Sequence, residues 1–381
     1  MKSNYILLII FFFAPSCLSA QSSLPALKQK NYPFIGINYH DGKILPSNDF
    51  VRGENLTGNP LESYNSLALK FGWQNPGYKD WQKIYRGPYY GLGLYVSNYN
   101  NAIEVGNPMA LYGFFGIPIF RLKKLEMYTE LQLGAAFNPT HYDSLSNPMN
   151  IAIGSFFTLY VDVGLNVVYP ITKNLDLGVG VSFTHLSNGG LERPNRGLNL
   201  FAPSIELKYH IGGRPDVRNT EAADKKLERS NDLYIMVGYG NHQMVEHELD
   251  TNYYSIAGLG LTYSIQHSNA FRSGLGVDFN YLRSLSALPD GTPGEQATWD
   301  NLTIGFVYAP EFLIGRLSLI LGIGIYAKHH NYGNFEKLYQ RAGVKYHFTE
   351  NFSVGMNIRS VNFILAEFLE FNVGYRIKWK R

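Results

Sequence analysis

From Tyr32 onward, the sequence alternates apolar and polar residues with a period of two. This period places successive side chains on opposite faces of a β-strand, so each alternating segment predicts a strand with one apolar face. The first half of the chain contains eight such segments, near 32–41, 64–74, 88–98, 109–119, 125–137, 153–169, 176–187 and 199–211. A second run of eight segments extends from about 233 to 379, so the predicted fold class is all-β.

The N-terminal residues have the pattern of a secretory signal peptide, predicted over residues 1–20. A basic start precedes an apolar run from Ile6 to Phe13, and small residues ending at Ala20 form the exit. A lipid anchor at Cys17 is the alternative, but the three residues before it match the usual lipobox poorly. If cleavage follows Ala20, the mature chain has no cysteine, which excludes a disulfide framework and a thiolate site.

Composition and loop lengths predict a barrel in the outer membrane. No later run approaches the roughly 20 apolar residues of a membrane helix, whereas aromatic residues make up 15% of the chain. Bacterial outer-membrane barrels combine aromatic girdles with tight periplasmic turns and longer outer loops. Connections here alternate in the same way, short at 123–124 and 172–174 and long at 43–63, 138–152 and 188–198. We therefore expect an antiparallel transmembrane β-barrel in the outer membrane of a Gram-negative bacterium, with its apolar face toward lipid.

The polar faces of these strands are predicted to fill the barrel interior. Glu130, Asp162 and Glu206 lie on those faces. In an eight-stranded barrel the lumen is filled by side chains. The three carboxylates are therefore interpreted as interior hydrogen-bonding groups rather than as catalysts.

The two runs of strands resemble each other, which predicts two homologous eight-stranded halves. Residues 167–175 have a counterpart in 344–352, and residues 207–211 have one in 373–377. Two tandem barrels and one sixteen-stranded barrel both keep an even strand count. A long polar linker is unlike a short periplasmic turn and favours the tandem. The predicted organisation is a signal peptide, a first half, a polar linker and a second half, at 1–20, 21–212, 213–231 and 232–381.

One short segment of the first half combines a histidine and a serine with suitable spacing. His185 and Ser187 are two residues apart on a predicted strand, so they share a face and are separated by about 6.6 Å of backbone. The alternation places both on the lipid face, together with Val181 and Phe183. Asn199 falls on the same face of the next strand, which returns antiparallel. A base, a nucleophile and an orienting group are thereby expected to meet at the level of the outer leaflet, as in serine acyl-transfer catalysis.

The run His185-Leu186-Ser187-Asn188-Gly189-Gly190, with Pro194-Asn195-Arg196-Gly197 downstream, resembles the lipid A 3-O-deacylase (PagL-type) and acyloxyacyl hydrolase family of outer-membrane β-barrels. The resemblance covers the first half of the chain. It implies hydrolysis of an ester-linked acyl chain of lipopolysaccharide, with lipid A in the outer leaflet as the partner.

The resemblance also implies a role for each residue of the motif. Ser187 is the nucleophile, His185 is the general base, and Asn188 with nearby backbone N–H groups such as that of Gly189 holds the oxyanion. The family has a Glu fourteen residues after the His, and that position is Asn199 here. An Asn can fix the imidazole tautomer but cannot stabilise the imidazolium by charge. Glu192, in the intervening loop, is an alternative acid.

The second half lacks the same residues and is interpreted as a degenerate copy. Alignment through the two Thr-x-Asn turns places Asn362 at the position of His185 and Ile364 at that of Ser187.

Two other functional classes fit the same sequence. An acyltransferase acting on outer-leaflet lipids would use similar residues, whereas a structural or surface barrel would not need Ser187. No cofactor is expected, because the sequence contains neither metal-ligand spacing nor a phosphate-binding Gly loop. The net charge of +3 is too small to indicate nucleic acid. The sequence leaves the oligomeric state open.

Overall fold

A computed structural model of the chain describes residues 30–217, 230–243, 252–286, 299–329, 337–363 and 365–380. Its strands form two closed antiparallel barrels of eight strands each. The tandem arrangement is therefore confirmed, and the alternative of one sixteen-stranded barrel is wrong. The chain divides into two compact units. The predicted signal peptide and most of the predicted linker lie outside the described residues.

The first barrel closes through the antiparallel pairing of its first and last strands. Most of its strands begin and end within a few residues of the predicted segments. The sixth is an exception at its start, because residues 153–156 belong to the preceding connection. The strands are β1 (Pro33–Ile44), β2 (Ser63–Gln74), β3 (Tyr89–Asn98), β4 (Met109–Leu122), β5 (Leu125–Phe137), β6 (Phe157–Pro170), β7 (Leu175–Ser187) and β8 (Leu198–His210).

The second barrel closes in the same way, by pairing of its first and last strands. Its first strand begins two residues before the predicted start of the second half. The strands are β9 (Ser230–His242), β10 (Tyr254–Gln266), β11 (Phe271–Leu282), β12 (Leu302–Ile314), β13 (Leu317–Lys328), β14 (Leu338–His347), β15 (Phe352–Val361) and β16 (Leu365–Lys380).

Short helices lie in some of the connections. They are α1 (Asp49–Arg52), α2 (Asp80–Ile84) and the 3-10 helix η1 (Arg283–Ser286). Within the described ranges, none of the helices has the length and apolar character needed to cross a membrane.

The outer surface of the first barrel is apolar and its interior is polar. Leu67, Leu69 and Phe71 alternate along β2 as exposed side chains, while Lys70 between them is completely buried. A soluble protein rarely exposes so large a contiguous apolar surface, whereas lipid solvates it. The alternation along each strand is thus the pattern of a transmembrane barrel.

Buried charged side chains in the first barrel have ion-pair or hydrogen-bond partners within it. Lys70 Nζ lies 2.7 Å from Glu130 Oε1 and 3.4 Å from Glu206 Oε1. Asp162 Oδ2 accepts a hydrogen bond of 2.6 Å from the Thr184 hydroxyl. All three carboxylates are interior, as predicted; Glu130 and Asp162 accept hydrogen bonds, and Glu206 forms an ion pair with Lys70. Such groups are retained in a lumen only when they are paired, because an isolated buried charge is strongly destabilising.

The second barrel is also filled by paired charges. Asp278 accepts hydrogen bonds from Arg341 Nη1 and from Arg359 Nη2, both at 3.0 Å. The Arg359 guanidinium lies 4.5 Å from the centroid of the Tyr339 ring. The Arg272 guanidinium donates two hydrogen bonds to the Glu311 carboxylate, of 2.8 and 2.5 Å. These buried charges in each barrel thus find their partners within the same barrel.

We expect residues 21–217 to fold without the second barrel. Every strand from β1 to β8 pairs with two neighbours in a closed ring, so no backbone edge is exposed to hydrocarbon. The truncated chain should insert into detergent micelles and show heat-modifiable electrophoretic mobility. A fragment that aggregates or remains protease-sensitive, while the full chain folds, would contradict this independence.

Candidate functional site

The outward row of β7 changes from apolar to polar at its last two members. Val179, Val181 and Phe183 are exposed on the outer surface, and His185 and Ser187 continue the same row as half-buried side chains. The row ends where the strand ends, at the start of the loop 188–197. A polar pair at this position borders the apolar belt without lying inside it.

His185 is held by a direct cross-strand contact. It pairs with Asn199 in the register of β7 and β8, and its Nδ1 lies 2.7 Å from Asn199 Oδ1. An amide oxygen only accepts hydrogen bonds, so Nδ1 carries the ring hydrogen. Nε2 is then left with its lone pair, which is the tautomer that a general base requires.

Ser187 directs its hydroxyl toward the loop that follows it. Its Oγ accepts hydrogen bonds from Asn195 Nδ2 at 2.8 Å and from the Gly189 backbone N–H at 3.3 Å. Within the described part of the chain, no hydrogen bond joins Ser187 to His185. Both side chains nevertheless project from the same face, two residues apart on one strand.

Asn188 is buried and holds the loop together. Its Nδ2 donates to Ser155 Oγ at 3.1 Å and to the Glu192 carbonyl at 2.9 Å, so both amide hydrogens are used. Its Oδ1 accepts from the Gly190 N–H at 3.0 Å. Its own backbone N–H donates to Asn195 Oδ1 at 3.2 Å. The side chain of Asn188 therefore has no donor left for a substrate in this conformation.

Glu192 lies in the same loop, as the sequence indicates. Among the described contacts, no hydrogen bond or ion pair joins its carboxylate to His185, whose Nδ1 contacts Asn199 instead. Asn199, rather than Glu192, is thus the group that orients the imidazole in this structure.

Gly197 lies against the ring of His185. Its backbone is left-handed, with φ at 73°, a conformation that glycine adopts without strain. A Cβ atom built on Gly197 would lie only 2.9 Å from His185 Cε1 and 3.1 Å from the Leu186 carbonyl oxygen. The absence of a side chain at this position allows the loop to close over the imidazole.

Asn195 is a site residue whose position the alternation of strands could not reveal. It belongs to the motif Pro194-Asn195-Arg196-Gly197, but it lies in a loop, where no periodicity fixes the direction of a side chain. Its amide uses both ends, with Nδ2 on Ser187 and Oδ1 on the Asn188 N–H.

The second barrel has different residues at the corresponding place. Asn362 follows β15 with a left-handed backbone, φ 52°. Ile364 lies outside the described residues. In the parts of the chain that the structure describes, no group of three or more His, Cys, Asp and Glu side chains is arranged to hold a metal ion.

Chemically, a serine hydroxyl next to an oriented imidazole is suited to nucleophilic acyl transfer. The general base needs to reach the hydroxyl only in the complex with substrate, because such hydrogen bonds are often long or absent without it.

Comparisons with known proteins place this region in a family. Residues 67–208, which include His185, Ser187 and Asn199, match the family model of the lipid A 3-O-deacylase (PagL). Residues 230–379, which span nearly all of the second barrel, match the C-terminal domain of acyloxyacyl hydrolase. A comparison with curated proteins finds no match.

Solved structures that match part of this chain include an outer membrane enzyme and a surface protein. The outer membrane enzyme PagL is 18% identical, and the match covers 46% of this chain and 99% of that chain with a TM-score of 0.31. Neisserial surface protein A is 10% identical, and the match covers 47% of this chain and 96% of that chain with a TM-score of 0.32.

The two family models follow each other along the sequence, one on each barrel. In its first barrel the chain matches the lipid A 3-O-deacylase (PagL) family, and in its second barrel it matches the acyloxyacyl hydrolase C-terminal domain family.

Proposed function

We propose that this protein is an outer-membrane esterase that hydrolyses an ester-linked acyl chain of lipid A, with Ser187 as the nucleophile and His185 as the general base. The observation that carries the proposal is the hydrogen bond from His185 Nδ1 to Asn199. It leaves Nε2 as an acceptor on the same outward face as Ser187. The match of this region to the lipid A deacylase family supports the choice of substrate.

The first half-reaction forms an acyl-enzyme. Rotation of the Ser187 side chain between staggered rotamers turns Oγ from Asn195 toward His185. Oγ then bonds to the ester carbonyl carbon of lipid A while Nε2 takes the hydroxyl proton. The tetrahedral intermediate expels the sugar oxygen, which receives that proton from His185. The products of this step are an acylated Ser187 and a lipid A hydroxyl group.

The second half-reaction releases the fatty acid. Water replaces the sugar hydroxyl, gives a proton to Nε2 and adds its oxygen to the acyl carbon. The intermediate collapses, the bond to Oγ breaks and Oγ recovers the proton. Each turnover consumes one ester and one water, and returns the enzyme to its starting state.

Two donors beside Ser187 are suited to the oxyanion. Gly189 N–H and Asn195 Nδ2 already converge on Oγ. In the tetrahedral intermediate, the oxyanion oxygen and Oγ are bonded to the same carbon. Donors that lie beside Oγ can therefore reach the oxyanion. We assign the oxyanion role to the Gly189 backbone and to Asn195, while Asn188 keeps the loop in shape through its contacts with Ser155 and Glu192.

The location of the site suits a lipid substrate. His185, Ser187 and Asn199 lie on the exterior of the barrel, in line with the exposed Phe183 and Phe201. An acyl chain of lipid A in the outer leaflet lies along this apolar surface, with its ester group near the headgroup level. The substrate therefore reaches the site from the membrane rather than through the barrel lumen.

Gly197→Ala is expected to lower kcat by about 10-fold, since an added Cβ collides with the imidazole and displaces it by a fraction of an ångström. The left-handed backbone adds strain of about 1 kcal/mol. Steady-state kinetics on the purified variant measure the effect. Gly58→Ala is the matched control, because Gly58 is also left-handed, with φ 65°, and has open space around its Cβ position. Equal kinetics for both variants would contradict the close contact with His185.

The experiment that tests the proposed function uses the purified full chain in mixed micelles of lipid A and phosphatidylethanolamine. Free fatty acid and deacylated lipid A are expected from the wild type, and neither is expected from Ser187→Ala. Lysophospholipid together with further-acylated lipid A would indicate an acyltransferase instead. No lipid product at all from the folded wild-type protein would support a structural role.

A further inference from the structure

We propose that Asn48, in the loop between β1 and β2, is a positioning residue that holds the His185–Asn199 pair in its working geometry. The inference rests on the proposed function for its catalytic meaning. Asn48 lies far in sequence from the His185–Gly197 motif. Asn48 is separated from Gly197 by 149 positions.

Asn48 uses both ends of its amide. Its Oδ1 accepts a hydrogen bond of 3.1 Å from the Val51 N–H and so caps α1. Its Nδ2 donates to the Gly197 carbonyl oxygen at 2.9 Å. The residue is only 5% exposed, so water does not compete freely for these bonds. A buried hydrogen bond of this kind fixes the relative position of the two loops.

A backbone bond ties the same loop to Asn199. The Leu45 N–H donates to the Asn199 carbonyl oxygen at 2.8 Å. The segment from Leu45 to Asn48 is thus bonded to Gly197 and to Asn199, on either side of Leu198. Gly197 lies so close to the His185 ring that a Cβ atom there would collide with it, and Asn199 accepts the Nδ1 hydrogen of the ring.

This arrangement fixes the imidazole from two directions. Asn199 Oδ1 sets the orientation of the ring through Nδ1, while Gly197 limits its movement near Cε1. Gly197 precedes the first residue of β8, so the strand ladder does not hold it. Loss of the bond from Asn48 therefore frees the loop backbone beside the ring, and the imidazole loses its fixed position.

The two bonds also explain why the residue is an asparagine. Asp and Ser cap helices about as well as Asn does. An aspartate carboxylate has no hydrogen to donate to the Gly197 carbonyl, and a serine side chain is too short to reach it while capping α1. Asn48→Asp and Asn48→Ser thus separate the positioning bond from the helix cap.

The test compares Asn48→Asp with Asn59→Asp in the full-length protein in detergent. Asn59 lies in the same loop, is exposed, and gives the same change of charge. We expect Asn48→Asp to lower kcat by about 10-fold or more, because small misplacements of a catalytic group carry costs of this size. KM should change by less than about 2-fold, since the lipid-binding surface is intact. Asn48→Ser should behave like Asn48→Asp, and Asn59→Asp like the wild type.

A second measurement follows the ring itself. In protein labelled with ¹⁵N-histidine, the imidazole signals of His185, assigned by their loss in His185→Ala, should shift or broaden in Asn48→Asp and Asn48→Ser only. Unchanged kcat with unchanged His185 signals would overturn the proposal, as would equal losses in Asn48→Asp and Asn59→Asp. If the wild-type chain proves inactive, the proposed function fails, and the His185 signals alone decide whether Asn48 positions the ring.

Discussion

Ser187→Ala is expected to reduce lipid A deacylation by about 10⁶-fold, and His185→Ala should reduce it by a similar factor. The serine provides the atom that bonds to the acyl carbon, and the histidine provides the base that makes the hydroxyl nucleophilic. Because the two act as one unit, the double variant should be no worse than either single variant.

Both substitutions should leave the barrel folded. His185 and Ser187 lie on the outer surface and do not contribute to the interior charge network around Lys70. Ser182→Ala is the matched control, since Ser182 lies on the same strand but is buried on the opposite face. Heat-modifiable mobility reports folding, and release of fatty acid from lipid A reports activity. Wild-type activity in Ser187→Ala, or equal loss in Ser182→Ala, would defeat the assignment of the nucleophile.

Asn199→Asp is expected to raise kcat by about 10-fold or more. The two side chains have the same shape, so a carboxylate oxygen can take the place of Oδ1 at 2.7 Å from His185 Nδ1. It would then stabilise the imidazolium that forms in the transition state. The reverse change in a serine-protease triad costs about 10⁴-fold in kcat. Asn199→Ala should lower kcat, because nothing then fixes the tautomer of the ring.

The two Asn199 variants together separate orientation from charge. A gain in Asn199→Asp and a loss in Asn199→Ala mean that the amide orients the ring without stabilising its charge. Lower activity in Asn199→Asp, with no change in Asn199→Ala, would instead show that the 2.7 Å contact has no catalytic part.

The periodicity of the strands made the faces of the site residues predictable. Lipid on one side and a packed lumen on the other enforce strict alternation, because a slip of one residue would reverse every side chain. His185, Ser187 and Asn199 lie on the exposed rows of their strands, which their spacing from Phe183 and Phe201 already indicates. The pairing of His185 with Asn199 adds what spacing alone could not give, since register depends on the whole sheet.

Contacts made by loops were not predictable in this way. Asn195 contacts Ser187, and Asn48 contacts Gly197. Both asparagines lie in loops, in which no repeat sets the direction of a side chain. For the same reason, the sequence could not show that the amide hydrogens of Asn188 are donated to Ser155 and to the Glu192 carbonyl. The partner of Glu130 and Glu206 was equally hidden, because Lys70 meets them across the lumen rather than along a strand.

Deacylation of lipid A in the membrane can be measured by mass spectrometry of lipid A from Gram-negative cells that express the full chain. We expect lipid A to lose the mass of one ester-linked acyl chain when the wild-type protein is present in the outer membrane. Lipid A should stay intact when Ser187→Ala is present at the same level. Identical lipid A in both strains, with both proteins folded in the outer membrane, would contradict the claim that this barrel is a lipid A deacylase.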